Sequence, residues 1–137
     1  MTHRLVELLR RAQQAVDATY AIEDRSAVTM EQICLLRTLY RYGPQNQADL
    51  GRACSIDRST VSGMIARLNR AGLLAAVRNE QVDRRAKMVT ITPRGRSALL
   101  DADQAARIAE EHVLGRVGVR ERPELFRMLR LLAGVAP

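Results

Sequence analysis

Apolar residues recur every three to four positions through most of this chain, which predicts a largely helical molecule. The first such stretch covers roughly 3–22, with Leu5, Leu8, Leu9, Ala12, Ala15, Val16 and Thr19 on one side and Arg and Glu opposite. Ser26-Ala27-Val28 breaks it. Thr29-Met30-Glu31-Gln32 then reads as a capping box, with Thr29 as N-cap and Gln32 at the third helical position. The helix that follows is apolar nearly all round, through Met30, Ile33, Cys34, Leu35, Leu36, Leu39 and Tyr40, the pattern of a helix buried on several sides. Gly43-Pro44 stops it.

Two shorter helices come next. One spans about 47–53, with Asn46 as its cap and Asp49 in its first turn; Cys54-Ser55-Ile56 is the turn that ends it. Asp57 caps the second, about 58–71, in which Val61, Met64, Ile65 and Leu68 face inward and Gly72 ends the helix. The pattern then changes: Leu73 to Arg78 and Lys87 to Ile91 read as two strands, joined by the polar loop Asn79 to Ala86. Thr92-Pro93 starts a long helix with Pro in the first position, and this helix carries a seam of small residues, Ala98, Ala102, Ala105, Ala106, Ala109 and Val113. Gly115 and Gly118 loosen its end, and a last helix near 123–133 places Leu125, Met128, Leu129 and Leu132 on one face. The expected fold class is mainly α with a small β-hairpin wing: a winged helix-turn-helix with N- and C-terminal dimerisation helices. Within a single domain, the central winged lobe spans 29–96, with the helix-turn-helix at 47–71 and the wing at 73–91, between terminal helical segments 1–28 and 97–137.

Charge sharpens this picture. The chain has 137 residues and a net charge of +7. Residues 1–51 hold six Arg against six acids, and 97–137 again hold six against six. Residues 52–96 hold nine Arg and Lys87 against Asp57, Glu80 and Asp83, a surplus of seven that equals the whole-chain value. A neutral–basic–neutral layout suggests that one segment faces a polyanion while both flanks do something else. Arg suits phosphate oxygens and guanine edges better than Lys does, although a G- and C-rich genome also favours it, so the placement of the charge is the stronger signal. The chain is 47% hydrophobic and 3% aromatic, so Ala, Leu and Val must fill the core, which favours close-packed helices. No apolar run approaches the ~18 residues of a membrane span. Met1-Thr2-His3-Arg4 runs straight into a helical pattern, so a cytoplasmic protein without a signal peptide is expected.

In a helix-turn-helix the second helix enters the major groove while the first crosses the backbone. With the apolar stripe inward, Ser59, Ser62, Gly63, Ala66, Arg67 and Arg70 face out. Ser59, Thr60 and Ser62 can donate to phosphates or base edges; Arg67 suits bidentate reading of a guanine, and Arg70, nearer the helix end, suits phosphate. A mid-helix Gly63 costs about 1 kcal/mol relative to Ala, which close approach to DNA would explain. The wing places Asp83, Arg84, Arg85 and Lys87 at its tip and return, narrow enough for a minor groove that attracts Arg. Phosphate would repel Asp83, so its expected role is to brace one of the two arginines. The bland alternatives are an α-hairpin with a solvated basic face and an ordinary charged hairpin.

The run Asp57-Arg58-Ser59-Thr60-Val61-Ser62, then Leu68-Asn69-Arg70-Ala71-Gly72-Leu73, then Asp83-Arg84-Arg85 with Ile91-Thr92-Pro93-Arg94-Gly95, resembles the MarR (multiple-antibiotic-resistance regulator) family. The match is to that family's recognition helix, its Asp-x-Arg wing motif and the Leu/Ile-Thr-x-x-Gly that follows. It covers nearly the whole chain in element order and residues 44–96 in motif detail. The resemblance implies a homodimer built from the first and last helices on a pseudo-palindromic operator in double-stranded DNA, with Arg84 and Arg85 entering the minor groove. The chain departs from some members at Gly63, where a long side chain can read bases, and this shifts the burden to Ser59, Ser62 and Arg67. Many relatives release DNA when a small phenolic or aromatic acid binds, and Tyr20, Arg37 and Tyr40 are the candidates for such an effector pocket: an Arg for the carboxylate, phenols for its rim. The bland alternative makes Tyr40 core and Arg37 an ion-pair partner.

The remaining chemistry is sparse. Cys34 and Cys54 are separated by 19 residues with no His between them, so zinc spacing is absent and no metal or other cofactor is expected. Cys34, in the most apolar helix, reads as a packing residue. Cys54 sits at the helix-turn-helix turn, where oxidation would disturb docking, which leaves a thiol-based redox regulator as one alternative. His3 and His112 read as exposed helix residues. No nucleophile–base pair, carboxylate pair or Gly-rich phosphate loop supports an enzyme. The expectation is a sequence-specific transcriptional regulator, acting as a repressor by covering a promoter; the alternatives are an architectural, largely non-specific DNA binder and a protein-interaction module on the same fold.

Overall fold

A computed structural model describes residues 3–78 and 87–136. The elements run α1 (Leu5–Glu23), α2 (Met30–Tyr42), β1 (Gln45–Asn46), α3 (Gln47–Cys54), α4 (Arg58–Arg70), β2 (Leu74–Arg78), β3 (Lys87–Ile91), α5 (Pro93–Leu114), a 3-10 turn (Val119–Glu121) and α6 (Arg122–Ala133). This order is that of a winged helix-turn-helix with an added helix at each end. Among the described residues no helix is long and apolar enough to cross a membrane.

Local sequence sets most of the boundaries. Thr29 and Gln32 form the reciprocal capping box that starts α2: Gln32 N–H donates to Thr29 Oγ1 at 3.1 Å, and Thr29 N–H donates to Gln32 Oε1 at 3.1 Å. Asn46 starts α3 by accepting from Asp49 N–H at 2.8 Å. Gly72, at φ +76°, closes α4: its N–H donates to Asn69 O at 3.0 Å, and Leu73 N–H reaches back to Leu68 O at 2.9 Å. That six-to-one bond turns the chain from helix into strand.

The chain divides into two compact units, 24–104 and the pairing of 1–23 with 105–137. The division falls inside α5. In the central unit Leu35, Leu36, Leu39, Leu50, Val61, Met64, Leu68 and Leu74 are buried, with Val89 and Ile91 of β3 beneath them. The sheet order is β1-β3-β2, antiparallel, with Leu74 opposite Ile91 and Ala76 opposite Val89. β1 is an element the hydrophobic pattern does not announce: Gln45 pairs with Val89 and Asn46 with Met88.

Two sequence expectations are corrected here. Tyr40, assigned to the apolar shell of α2, is 61% exposed, so α2 is buried on most sides but not at its C-terminal turn. Ile65, assigned to the inward stripe of α4, is only half-buried, as its position lies at the edge of that stripe.

In the outer unit, α1 and α6 leave apolar side chains uncovered. Leu5 is 55% exposed, Phe126 43% and Leu131 66%, and no residue of α6 is buried. Glu124 and Arg127, one turn apart on α6, pair through Arg127 Nε at 2.8 Å; this bond holds the Glu124 carboxyl below its usual range.

Candidate nucleic-acid interface

The helix-turn-helix is built from α3, the turn Ser55–Ile56–Asp57, and α4. Ser55 takes a left-handed conformation, φ 53°, and Ile56 N–H donates to Gly51 O at 3.0 Å, which folds the turn back on α3. Asp57 then caps α4. Its carboxylate accepts from Thr60 N–H at 2.9 Å, Thr60 Oγ1 at 2.7 Å and Ser59 Oγ at 2.9 Å. Hydrogen bonding to the charged form, first from the Thr60 backbone, lowers the Asp57 pKa to about 2.

The cap bears on two of the residues assigned to DNA. Ser59 and Thr60 lie on the exposed N-terminal turn of α4, as expected, but each spends its hydroxyl proton on Asp57. Toward a nucleic acid they present acceptor lone pairs until that bond is exchanged. Sequence reasoning missed this commitment, although a capping Asp two and three residues before Ser and Thr is a recognisable signal.

The remaining α4 candidates line one exposed face. Ser62, Arg67 and Arg70 are exposed, and the buried residues Val61, Met64 and Leu68 alternate with them at helical spacing. An added Cβ at Gly63 would meet nothing within 4 Å. Packing inside the chain therefore does not require glycine there, and the backbone is bare toward the outside.

Behind this face the wing base is fixed by Thr92. Its hydroxyl donates to Gly72 O at 2.7 Å and accepts from Gly95 N–H at 3.0 Å, so one side chain ties the end of α4 to the start of α5. A Cβ at Gly95 would stand 2.1 Å from Leu73 O, a distance no side chain tolerates. The Ile-Thr-x-x-Gly motif is thus a clasp. Lys87, the first residue of β3, is exposed. Asp83, Arg84 and Arg85 lie outside the described residues.

Sequence reasoning gave neither Arg52 nor Arg58 a place among the DNA-binding candidates. The structure sets both at a hollow of about 410 Å³ beside the N-terminal end of α4, lined also by Gln47 and Ser55. Arg52 is ion-paired with Asp49 on α3.

The three effector candidates do not all reach one described site. Arg37 and Tyr40 lie one turn apart on α2, while Tyr20 is a buried residue of the outer unit. The Arg37 guanidinium donates to Asp103 of α5. Of the two cysteines, Cys54 is half-buried, and burial foremost pushes its thiol up to about 12.

Comparison with known proteins agrees with this arrangement. The model of the MarR family matches residues 28–87. The chain is 31% identical over 135 residues to the HTH-type transcriptional repressor NicR of Pseudomonas putida, a match covering 95% of this chain and 82% of that protein. Among solved structures it is similar to BpsR of Bordetella bronchiseptica, at 31% identity and TM-score 0.83, covering 96% of this chain and 99% of that one. It is also similar to the transcriptional repressor CouR bound to a 23-mer DNA duplex, at 26% identity and TM-score 0.85, covering 95% and 92%. With fold, motif positions and near-full-length likeness in agreement, the chain belongs to the MarR family of winged-helix transcriptional regulators.

Proposed function

We propose that this protein is a cytosolic, homodimeric repressor that recognises a pseudo-palindromic operator through α4 and its wing. The observation that carries this reading is the outward face of α4: Ser62, Arg67 and Arg70 are exposed and an added Cβ at Gly63 would meet nothing, while Val61, Met64 and Leu68 are buried on the other side. In a major groove Arg67 reads a guanine edge, Arg70 holds phosphate, and Gly63 lets the helix sit deep. Arg84, Arg85 and Lys87 take the neighbouring minor groove, with Asp83 bracing an arginine. The uncovered apolar faces of α1 and α6 supply the dimer contact, and a two-fold dimer presents two recognition helices about one DNA turn apart, ~10 bp. That the similar repressor CouR is bound to a 23-mer DNA duplex supports duplex DNA as the partner.

Release by a small aromatic carboxylate is part of the proposal. The structure of BpsR addresses regulation of its DNA binding by 6-hydroxynicotinic acid, a heteroaromatic carboxylate. Here Arg37 is the anchor for such a group. Because Arg37 already holds Asp103, an incoming carboxylate competes with Asp103 for the guanidinium, and Asp103→Asn should tighten effector binding. Tyr40, one turn from Arg37 on α2, is the candidate rim.

Selection of bound duplexes from a random pool, followed by salt titration on the selected and a scrambled duplex, tests the DNA reading. A sequence-specific regulator prefers the selected duplex by roughly a thousandfold or more. Similar affinity for both, with a shared steep salt dependence, identifies an architectural binder instead.

A further inference from the structure

The first turn of α4 carries two hydroxyls whose protons are already placed. An ionised carboxylate can only accept, so in the 2.9 Å bond between Ser59 Oγ and Asp57 the serine is the donor. The same holds for Thr60 Oγ1, 2.7 Å from the other carboxylate oxygen. The Asp57 carboxyl titrates at about 2, so the arrangement persists at neutral pH. Hydrogen bonds to a charged acceptor are the stronger kind, and a neutral acceptor on a base edge competes poorly for either proton. What Ser59 Oγ offers outward is therefore a pair of lone pairs.

Position on the helix decides which hydroxyl matters. Ser59 stands four, seven and eleven positions before Gly63, Ala66 and Arg70, which puts it on the centre line of the outward face. Val61, Met64 and Leu68 are buried on the opposite side, and Thr60 lies at the edge between the two. In a major groove, a hydroxyl lone pair finds a partner only where a base offers an N–H. Each base pair presents one such amino group there, N6 of adenine or N4 of cytosine, at different places across the pair. A fixed acceptor therefore distinguishes the pairs. Phosphate oxygens are acceptors as well, and the Asp57 charge beside Ser59 repels them.

We propose that Ser59, held by Asp57, is a specificity-determining acceptor that takes an N–H from the exocyclic amino group of adenine or cytosine and does not hold phosphate. The proposal rests on the DNA-binding function proposed above and gives α4 a polarity. Arg67, eight positions further on, lies about 12 Å away along the helix and carries only donors. The two side chains therefore address different base pairs with opposite chemistry. Asp57 acts through Ser59 and is a positioning residue.

The test uses the full-length protein, Ser59→Ala and the duplex recovered by selection from a random pool. Repeating the selection with Ser59→Ala is expected to relax one base pair in each half-site. At that pair, purine replaces adenine, or 2-pyrimidinone replaces cytosine, so that the amino group is lost. The weaker pairing is common to both proteins and cancels in their ratio. Wild type is expected to lose at least about threefold more affinity than Ser59→Ala, and a smaller difference overturns the proposal. Substituting the 7-deaza purine at the same pair removes an acceptor and should cost both proteins alike; a larger loss for wild type would show Ser59 donating and overturn it too. Asp57→Ser still caps the Thr60 N–H but releases the Ser59 proton, so the amino-group effect should shrink below about threefold. Its full retention removes Asp57 from the proposal. A selected duplex whose preferences Ser59→Ala leaves untouched, or weakens uniformly, overturns this proposal alone. A chain that prefers no duplex overturns the function proposed above, and this proposal with it.

Discussion

Asp57 and Thr60 are joined twice, through the Thr60 backbone N–H at 2.9 Å and its hydroxyl at 2.7 Å, and Ser59 adds a third donor. These bonds favour the ionised carboxyl, and the Asp57 pKa drops from 3.8 to about 2. A depressed carboxyl contributes stability that is complete above its ordinary value and is lost as pH falls through its folded one. The difference in thermal midpoint between wild type and Asp57→Ala should therefore hold steady at neutral pH and close between about pH 4 and pH 2. Asp57→Asn should retain most of the cap at neutral pH, since Asn caps as well as Asp. A midpoint difference that closes near neutrality would assign the effect elsewhere.

Gly95→Ala tests the clasp between α4 and α5. The new methyl would meet Leu73 O at 2.1 Å, and backbone cannot yield as a side-chain tip does. Destabilisation of about 3 kcal/mol is expected, measured by denaturant unfolding with an unchanged slope. A loss under about 0.5 kcal/mol would mean that strand and helix separate freely at this point.

Gly63→Ala should separate stability from function. Open space surrounds the position, so alanine gains about 1 kcal/mol of helix stability. Affinity for the selected duplex should fall nonetheless, because in the proposed docking the methyl would occupy the closest approach of helix to groove. Undiminished affinity would remove the functional reason for glycine there.

Arg67 and Arg70 share the exposed face of α4 but should fail differently. Arg67→Ala should cost about 1–3 kcal/mol on the selected duplex and relax sequence preference. Arg70→Ala should weaken all duplexes alike and reduce the salt slope by roughly one. Equal losses on matched and mismatched duplexes for Arg67→Ala would count against its role as a reader.

How much of this was legible in the sequence depended on how local each determinant was. Thr29, Asn46 and Asp57 specify their helix starts through bonds that span three residues, and the expected boundaries fall within a residue or two of those observed. β1 was not legible, because Gln45 and Asn46 pair only where the edge of β3 is presented to them. Tyr40 was misjudged for a related reason: an apolar pattern says that a helix is enclosed, not which turn emerges. The approach of Thr38 to the Cys54 sulfur depends on how α3 crosses α2, which no spacing of two residues encodes.

The two-residue strand has a mechanical effect out of proportion to its length. Gln45 and Asn46 fasten the segment leading into α3 to β3, while β2, the other neighbour of β3, grows out of α4. The chain therefore closes a loop through α3, α4, β2, β3 and back. The separation between recognition rod and hairpin root is set in advance, like the pins of a plug. In the proposed docking, the duplex supplies whatever bending the fit demands, and the stiffness of base steps that no side chain touches enters the selection.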